Sequence, residues 1–150
     1  MARSDRWGLE GLPYTFRSKF ECEVANQLLE YEAIWEYETV TLPYGQTIRQ
    51  AICSDCGSHN VRKRRRYTPD FKVMTGKWDL NTMYIEVKGR FPSTDRTKMI
   101  AVKECYPDLD IKMLFMRNNS TGETRHKTYG GWCDNMGFDW AVGQVPESWL

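Results

Sequence analysis

No run in these 150 residues approaches the ~18 consecutive apolar residues of a membrane-spanning helix, and the opening stretch MARSDRWGLE has no apolar signal core. A soluble, cytoplasmic protein that keeps no company with membranes is expected. Charge of one sign is not in excess either. The 21 Lys and Arg stand against 20 Asp and Glu, a formal net charge of +1, so attraction to a polyanion has to come from local clusters. Five cysteines is an odd count, and without an export signal it argues against a disulfide framework. In that setting the sequon-like NNST at 118–121 carries no glycan argument. Internal repeats and low-complexity linkers are also missing.

What is present suits one compact unit, since 41% hydrophobic and 13% aromatic residues suffice for a core at this length. Residues 1–15, with Gly8, Gly11 and Pro13, read as a flexible arm, and residues 16–150 as a single domain carrying a basic, CxxC-containing excursion at about 45–66. Phe20, Val24, Leu28 and Tyr31 fall at helical spacing behind the S-x-x-E capping pair Ser18 and Glu21, which predicts a helix over about 18–31. AIWEYETVTL, 33–42, reads as one long strand ending at Pro43. Residues 70–74 and 82–88 read as a hairpin about a turn holding Gly76 and Asn81. A second helix follows, with Ser93, Thr94 and Asp95 as caps and a stop before Pro107. DIKMLFM, 110–116, reads as a buried strand, and Thr128 caps a short helix that Gly137 ends, with FDW and VPESW as closing packing segments. The order α-β-β-β-α-β-α predicts an α/β class, a mixed sheet flanked by helices.

The chemistry concentrates in YTPDF, 67–71, and EVK, 86–88. Antiparallel pairing about Trp78 makes opposed residues sum to 156, which sets Asp70 against Glu86, and strand alternation puts Glu86 and Lys88 on one face. Two carboxylates and a lysine on one face suit metal-assisted phosphodiester hydrolysis, the acids holding Mg²⁺ and the lysine polarising the nucleophile. The same spacing also describes an ordinary cross-strand surface pair. Pro69 favours the first reading, because it fixes its own φ and keeps Thr68 extended, so that Asp70 sits at a defined strand start.

Beyond spacing, FRSKFE, YTPDF, IEVKGR, YPDLDIKMLF, TYGGWC and VPESW together resemble the phage endonuclease I family, dimeric enzymes that cut four-way (Holliday) and other branched DNA. The resemblance runs in order from about Phe16 to Trp149. It implies a restriction-endonuclease-like fold of the PD-(D/E)xK type and Mg²⁺ dependence, with Mn²⁺ able to substitute. Its catalytic positions fall on Glu21, Asp70, Glu86 and Lys88, of which Glu21, Asp70 and Glu86 are metal ligands. It further implies a homodimer in which chains exchange segments, each site taking its first glutamate, Glu21, from one chain and the rest from the other. The long strand at 33–42 suits such a bridge. For a phage-encoded enzyme the compartment becomes the host cytoplasm.

Several residues keep two readings. Glu21 is accounted for by capping alone. Arg62, Lys63, Arg64, Arg65 and Arg66 read as a solvated loop by composition, yet four residues ahead of a metal-binding Asp70 they, with Arg17, would hold DNA phosphates. Trp7, Tyr14 and Trp35 are base platforms or core. CSDCGSH, 53–59, departs from the family pattern. Cys53 and Cys56 with His59 form half to three-quarters of a zinc site, or are free thiols. Cys22, Cys105 and Cys133 fall in predicted helices as core or inert positions, and His126 reads as solvated. Two other functions therefore stand beside branched-DNA cleavage: another nuclease of the same fold, of nicking, repair or restriction type, and a noncatalytic zinc-knuckle nucleic-acid binder.

Overall fold

The computed structural model describes residues 7–49, 60–76 and 81–150, with side chains throughout except at 46–49 and 60–64. The zinc-site candidates Cys53, Cys56 and His59 lie outside the described residues. The elements run α1 (Lys19–Glu30), β1 (Ile34–Tyr37), β2 (Leu42–Arg49), β3 (Asn60–Tyr67), β4 (Phe71–Thr75), β5 (Asn81–Lys88), α2 (Ser93–Cys105), β6 (Ile111–Phe115), α3 (Tyr129–Met136) and β7 (Asp139–Val142), with a 3-10 turn at Glu147–Trp149. Five strands form a mixed sheet in the order β1-β4-β5-β6-β7, and β2 and β3 form a separate antiparallel ribbon. β1, β4 and β5 are antiparallel, whereas β5, β6 and β7 run parallel through α2 and α3 as crossovers. The predicted mixed sheet with flanking helices is thus present.

Alternation along the strands builds two cores. Phe71, Val73, Met83, Ile85 and Val87 face α1 and its buried Phe20, Val24 and Leu28. Tyr84, Ile111, Met113 and Phe115 point to the other face, against Met99 and Val102 of α2 and Trp132 of α3. Glu86 and Lys88 share the parity of Tyr84, which carries two charged side chains into the second, mostly apolar layer. Gly137 ends α3 at φ 77, the left-handed cap that glycine adopts without strain.

Four expectations need correction. The long strand at 33–42 is two strands of different sheets, parted where Glu38 takes φ 50 and donates its N–H to the Asp70 carbonyl at 2.9 Å. The excursion is in its described part a strand pair, with Leu42–Arg49 laid antiparallel on Asn60–Tyr67 and the basic run forming β3. The arm is folded from Trp7 onward: Phe16 N–H bonds the Trp7 carbonyl at 3.0 Å, and Trp7, Leu9 and Tyr14 pack on the α1-side core. His126 is buried, its Nδ1 2.8 Å from Asn135 Nδ2.

Smaller departures concern caps and cysteines. The N-cap of α2 is Pro92 with no side-chain bond, so Ser93, Thr94 and Asp95 lie inside the first turn. Asp139 and Trp140 of FDW open β7, so the segment is part of the sheet as well as of the packing. Cys133 is buried, which pushes its thiol up to about 12, while Cys105 is exposed.

Candidate active site

Asp70 ends the YTPD segment one residue before β4 begins, and three neighbours fix it. Pro69 restricts the approach, Glu38 N–H holds its carbonyl, and Val87 N–H donates to Oδ2 at 2.7 Å. The ladder beside it pairs Phe71 with Ile85 and Lys72 with Tyr84, so the register sum of 156 holds and Glu86 is the residue across from Asp70. Burial, and next the charge of Glu86, push the Asp70 carboxyl up to about 8, with a further push from Glu21; the Val87 amide and Lys88 pull the other way. Oδ1 has no protein hydrogen bond among the described residues. No described side-chain oxygen is both buried and unpartnered, so Oδ1 opens to solvent.

Glu86 is only 4% exposed. Its Oε1 lies 3.0 Å from Lys88 Nζ, and its Oε2 accepts from the Tyr67 hydroxyl at 2.7 Å. The Lys88 ammonium also meets Asp95 Oδ2, in the first turn of α2, at 3.5 Å. Burial alone would lower the Lys88 pKa, but Glu86, Asp95 and Asp70 outweigh it and leave it raised. Lys88 is therefore a cation at neutral pH.

Glu21 sits in the first turn of α1. Ser18 Oγ caps its N–H at 3.1 Å, and its own Oε2 accepts from Arg17 N–H at 3.0 Å and from the Tyr37 hydroxyl at 2.7 Å. The backbone bond goes to Arg17, one residue before the capping-box position, and Oε1 has no protein partner among the described residues. In this one rotamer Glu21 closes the start of α1 and lies near enough to Asp70 of the same chain for its charge to raise the Asp70 pKa.

Hard carboxylate oxygens beside a lysine, one acid displaced upward by burial and then by its neighbour's charge, are a donor set that a divalent cation fits. Among the described residues no three His, Cys, Asp or Glu side chains converge as a ready-made cage.

These features, in this chain order, coincide with one family. The family model described as Phage endonuclease I matches residues 6–150. The chain belongs to the phage endonuclease I family. It is 33% identical over 132 residues to Endodeoxyribonuclease 1 of Enterobacteria phage T3, covering 87% of this chain and 74% of that one. It is 29% identical over 136 residues to Endonuclease I of Escherichia phage T7, covering 90% and 78%.

Within this phage endonuclease I chain, the fold brings Asp70, Glu86 and Lys88 together, with Glu21 at charge-sensing range. Arg65 and Arg66 are exposed on β3, which leads directly into Tyr67; the side chains of Arg62, Lys63 and Arg64 lie outside the described set. Arg17 is engaged by Glu38 at 2.9 and 3.2 Å and is not a free cation. Tyr14 and Trp35 stack in a cluster with Phe16, Tyr37 and Phe71 and serve the core. Sequence reasoning missed Tyr67, Tyr37 and Asp95. Tyr67 heads the YTPDF motif, but nothing local says its hydroxyl reaches a residue 19 positions away. No helix among the described residues is long and apolar enough to cross a membrane.

Proposed function

We propose that the chain is a metal-dependent endodeoxyribonuclease that cuts four-way and other branched DNA. The observation that carries this reading is the pair of half-buried Asp70 and buried Glu86 at the end of the β4–β5 hairpin, with Lys88 on Glu86 and one Asp70 oxygen left open. The name of the phage T3 relative, an endodeoxyribonuclease, favours DNA as the substrate.

Asp70 through Oδ1, and Glu86 through a carboxylate shared with Lys88, would hold the cation. When bound, Mg²⁺, or Mn²⁺ in its place, supplies Lewis-acid stabilisation of the attacking water and the leaving oxygen. Lys88 keeps its proton at Nζ and donates toward the phosphate oxygens as negative charge builds on them. Asp70 would give up its proton on taking up the cation, so cation binding would release protons. The exposed Arg65 and Arg66 on the ribbon bring backbone phosphates alongside without reading sequence, as selection by branch shape requires.

A homodimer is part of this reading. One chain assembles all four residues, and an exchange of residues 7–38 about the connection at 39–41 would keep their arrangement while drawing Glu21 from the other copy.

Cleavage of a labelled four-way junction against a duplex of the same sequence tests the proposal. Junction cutting with Mg²⁺ that EDTA abolishes is expected. Equal cutting of both substrates would favour another nuclease type on this fold, and binding without cutting would end the enzyme assignment.

A further inference from the structure

Tyr67 closes the basic strand β3 and is fully buried in the layer between the sheet and α2. Lys98 Nζ of α2 lies 5.2 Å from its ring centroid. Packing accounts for a ring at this position but not for a hydroxyl, since phenylalanine fills nearly the same volume. The hydroxyl has one partner, Glu86 Oε2, at 2.7 Å and away from water, where a bond to a carboxylate is short and strong. Burial first, and then the Glu86 charge, hold the phenol far above its usual pKa, so it stays a donor. Glu86 is thereby fixed from two sides, Oε2 by Tyr67 and Oε1 by Lys88. The same short segment sets Asp70 through its own backbone, three residues on, with Pro69 between.

We propose that Tyr67 is a positioning residue whose hydroxyl fixes the carboxylate plane of Glu86 for capture of a divalent cation beside Asp70, an inference that rests on the metal-dependent reading above. The structure contains its own comparison. Tyr37 donates to Glu21 Oε2 at the same 2.7 Å, but that oxygen also takes the Arg17 amide at 3.0 Å, so removing the Tyr37 hydroxyl leaves Glu21 held. Glu86 Oε2 has no such second donor among the described residues.

Calorimetric titration of the DNA-free full chain with Mn²⁺ tests this. Tyr67→Phe should weaken Mn²⁺ binding on the order of 10-fold, the usual cost of removing a residue that orients a metal ligand. Tyr37→Phe should change it by less than about 3-fold. In a Glu86→Gln background Tyr67→Phe should add nothing. With DNA, kcat should fall while KM for the junction holds. Should the phenylalanine variant prove unstable, 4-fluorophenylalanine at position 67 fills the hydroxyl's space without donating and takes its place, while 4-aminophenylalanine, which keeps a donor, should restore binding. Wild-type affinity in Tyr67→Phe, an undiminished effect of Tyr67→Phe without Glu86, or a wild type that binds no Mn²⁺ would each overturn the inference. A wild type that binds Mn²⁺ with this Tyr67 dependence yet cuts no DNA would uphold it and overturn the nuclease reading alone.

Discussion

Lys88 Nζ stands 3.5 Å from Asp95 Oδ2, so the cation of the EVK motif is tethered to the first turn of α2 as well as to its own strand. A lysine on a four-carbon stem would otherwise sample many rotamers. If Lys88 donates to the developing phosphate charge, Lys88→Ala should lower kcat by roughly 10²–10³, the usual loss for one such donor, with junction affinity little changed. Asp95→Asn should cost about tenfold or less, because Glu86 still holds the ammonium. Single-turnover rates beside equilibrium binding check both. A loss confined to affinity would make Lys88 a phosphate clamp.

Asp70→Asn and Glu86→Gln should abolish cutting and leave junction binding intact or improved. If, as proposed, both groups face the substrate phosphates, their negative charge would repel them until a cation arrives, most strongly above about pH 8, where Asp70 has released its proton. Gel-shift affinity in EDTA and cleavage in Mg²⁺ separate the two effects, and either variant retaining cleavage would end its assignment as a ligand.

The Asp70 carboxyl is lifted from its ordinary 3.8 to about 8, chiefly by burial and by Glu86. Between those values the folded protein holds a proton that the unfolded chain has released. The stabilisation is therefore complete below about pH 4 and is lost as pH rises through about 8. Lys88 titrates above this window, because its pKa is raised from an already high value. The unfolding free energy of the metal-free protein in urea should fall from pH 5 to pH 8.5 by on the order of 1–3 kcal/mol, an amount discounted for the solvent access of Oδ1. Asp70→Asn should remove most of that slope, and Mg²⁺ at pH 8.5 should recover stability in the wild type alone. A slope unchanged in Asp70→Asn would place the titration elsewhere.

The hairpin register was legible because it depends only on strand period and a turn, both local. Ser18, Thr128 and Gly137 act as read, since caps are also local. The break at Glu38 was not legible: AIWEYETVTL is uniformly strand-forming, and what turns it is the Asp70 carbonyl, 32 positions away. Asp95 looked like a cap for the same reason in reverse, its type suiting a helix start while its partner, Lys88, lies on a strand. The hydroxyls of Tyr37 and Tyr67 make their bonds only after the sheet forms, so composition shows two aromatics and nothing of what they orient.

Replacing Arg64, Arg65 and Arg66 by Ala should weaken binding to every DNA alike. The salt dependence should flatten with it, the slope of log K against log salt changing by roughly 0.9 for each phosphate these side chains had neutralised. Arg65 and Arg66 are exposed, with no ion pair among the described residues, so their removal leaves no buried partner stranded. Fluorescence anisotropy across a salt series is the measurement, and an unchanged slope would return the run to a solvated surface strand.

Whether each site is built within one chain or across two is decided by pairing a chain carrying Glu21→Ala with one carrying Glu86→Ala. Each homodimer has two damaged sites and should be inactive. Under exchange, one site of the mixed dimer collects both lesions. The other combines the intact Glu21 of the second chain with the intact Asp70, Glu86 and Lys88 of the first. That dimer should nick a junction on one strand without completing the paired incision, which needs two working sites. Without exchange both sites keep one lesion and no activity returns. The single-chain geometry is compatible with either outcome, because an exchange about 39–41 preserves the Tyr37 bond to Glu21 and the Glu38 bond to Asp70 only if both residues travel to the same side of the crossing. Tyr37 and Glu38 stand immediately before that connection, so they move with Glu21 and meet the partner's Asp70 together. Coexpression with two affinity tags isolates the mixed species. A nicking signal no greater than either parent's would remove the exchanged arrangement and leave the four-residue site within one chain.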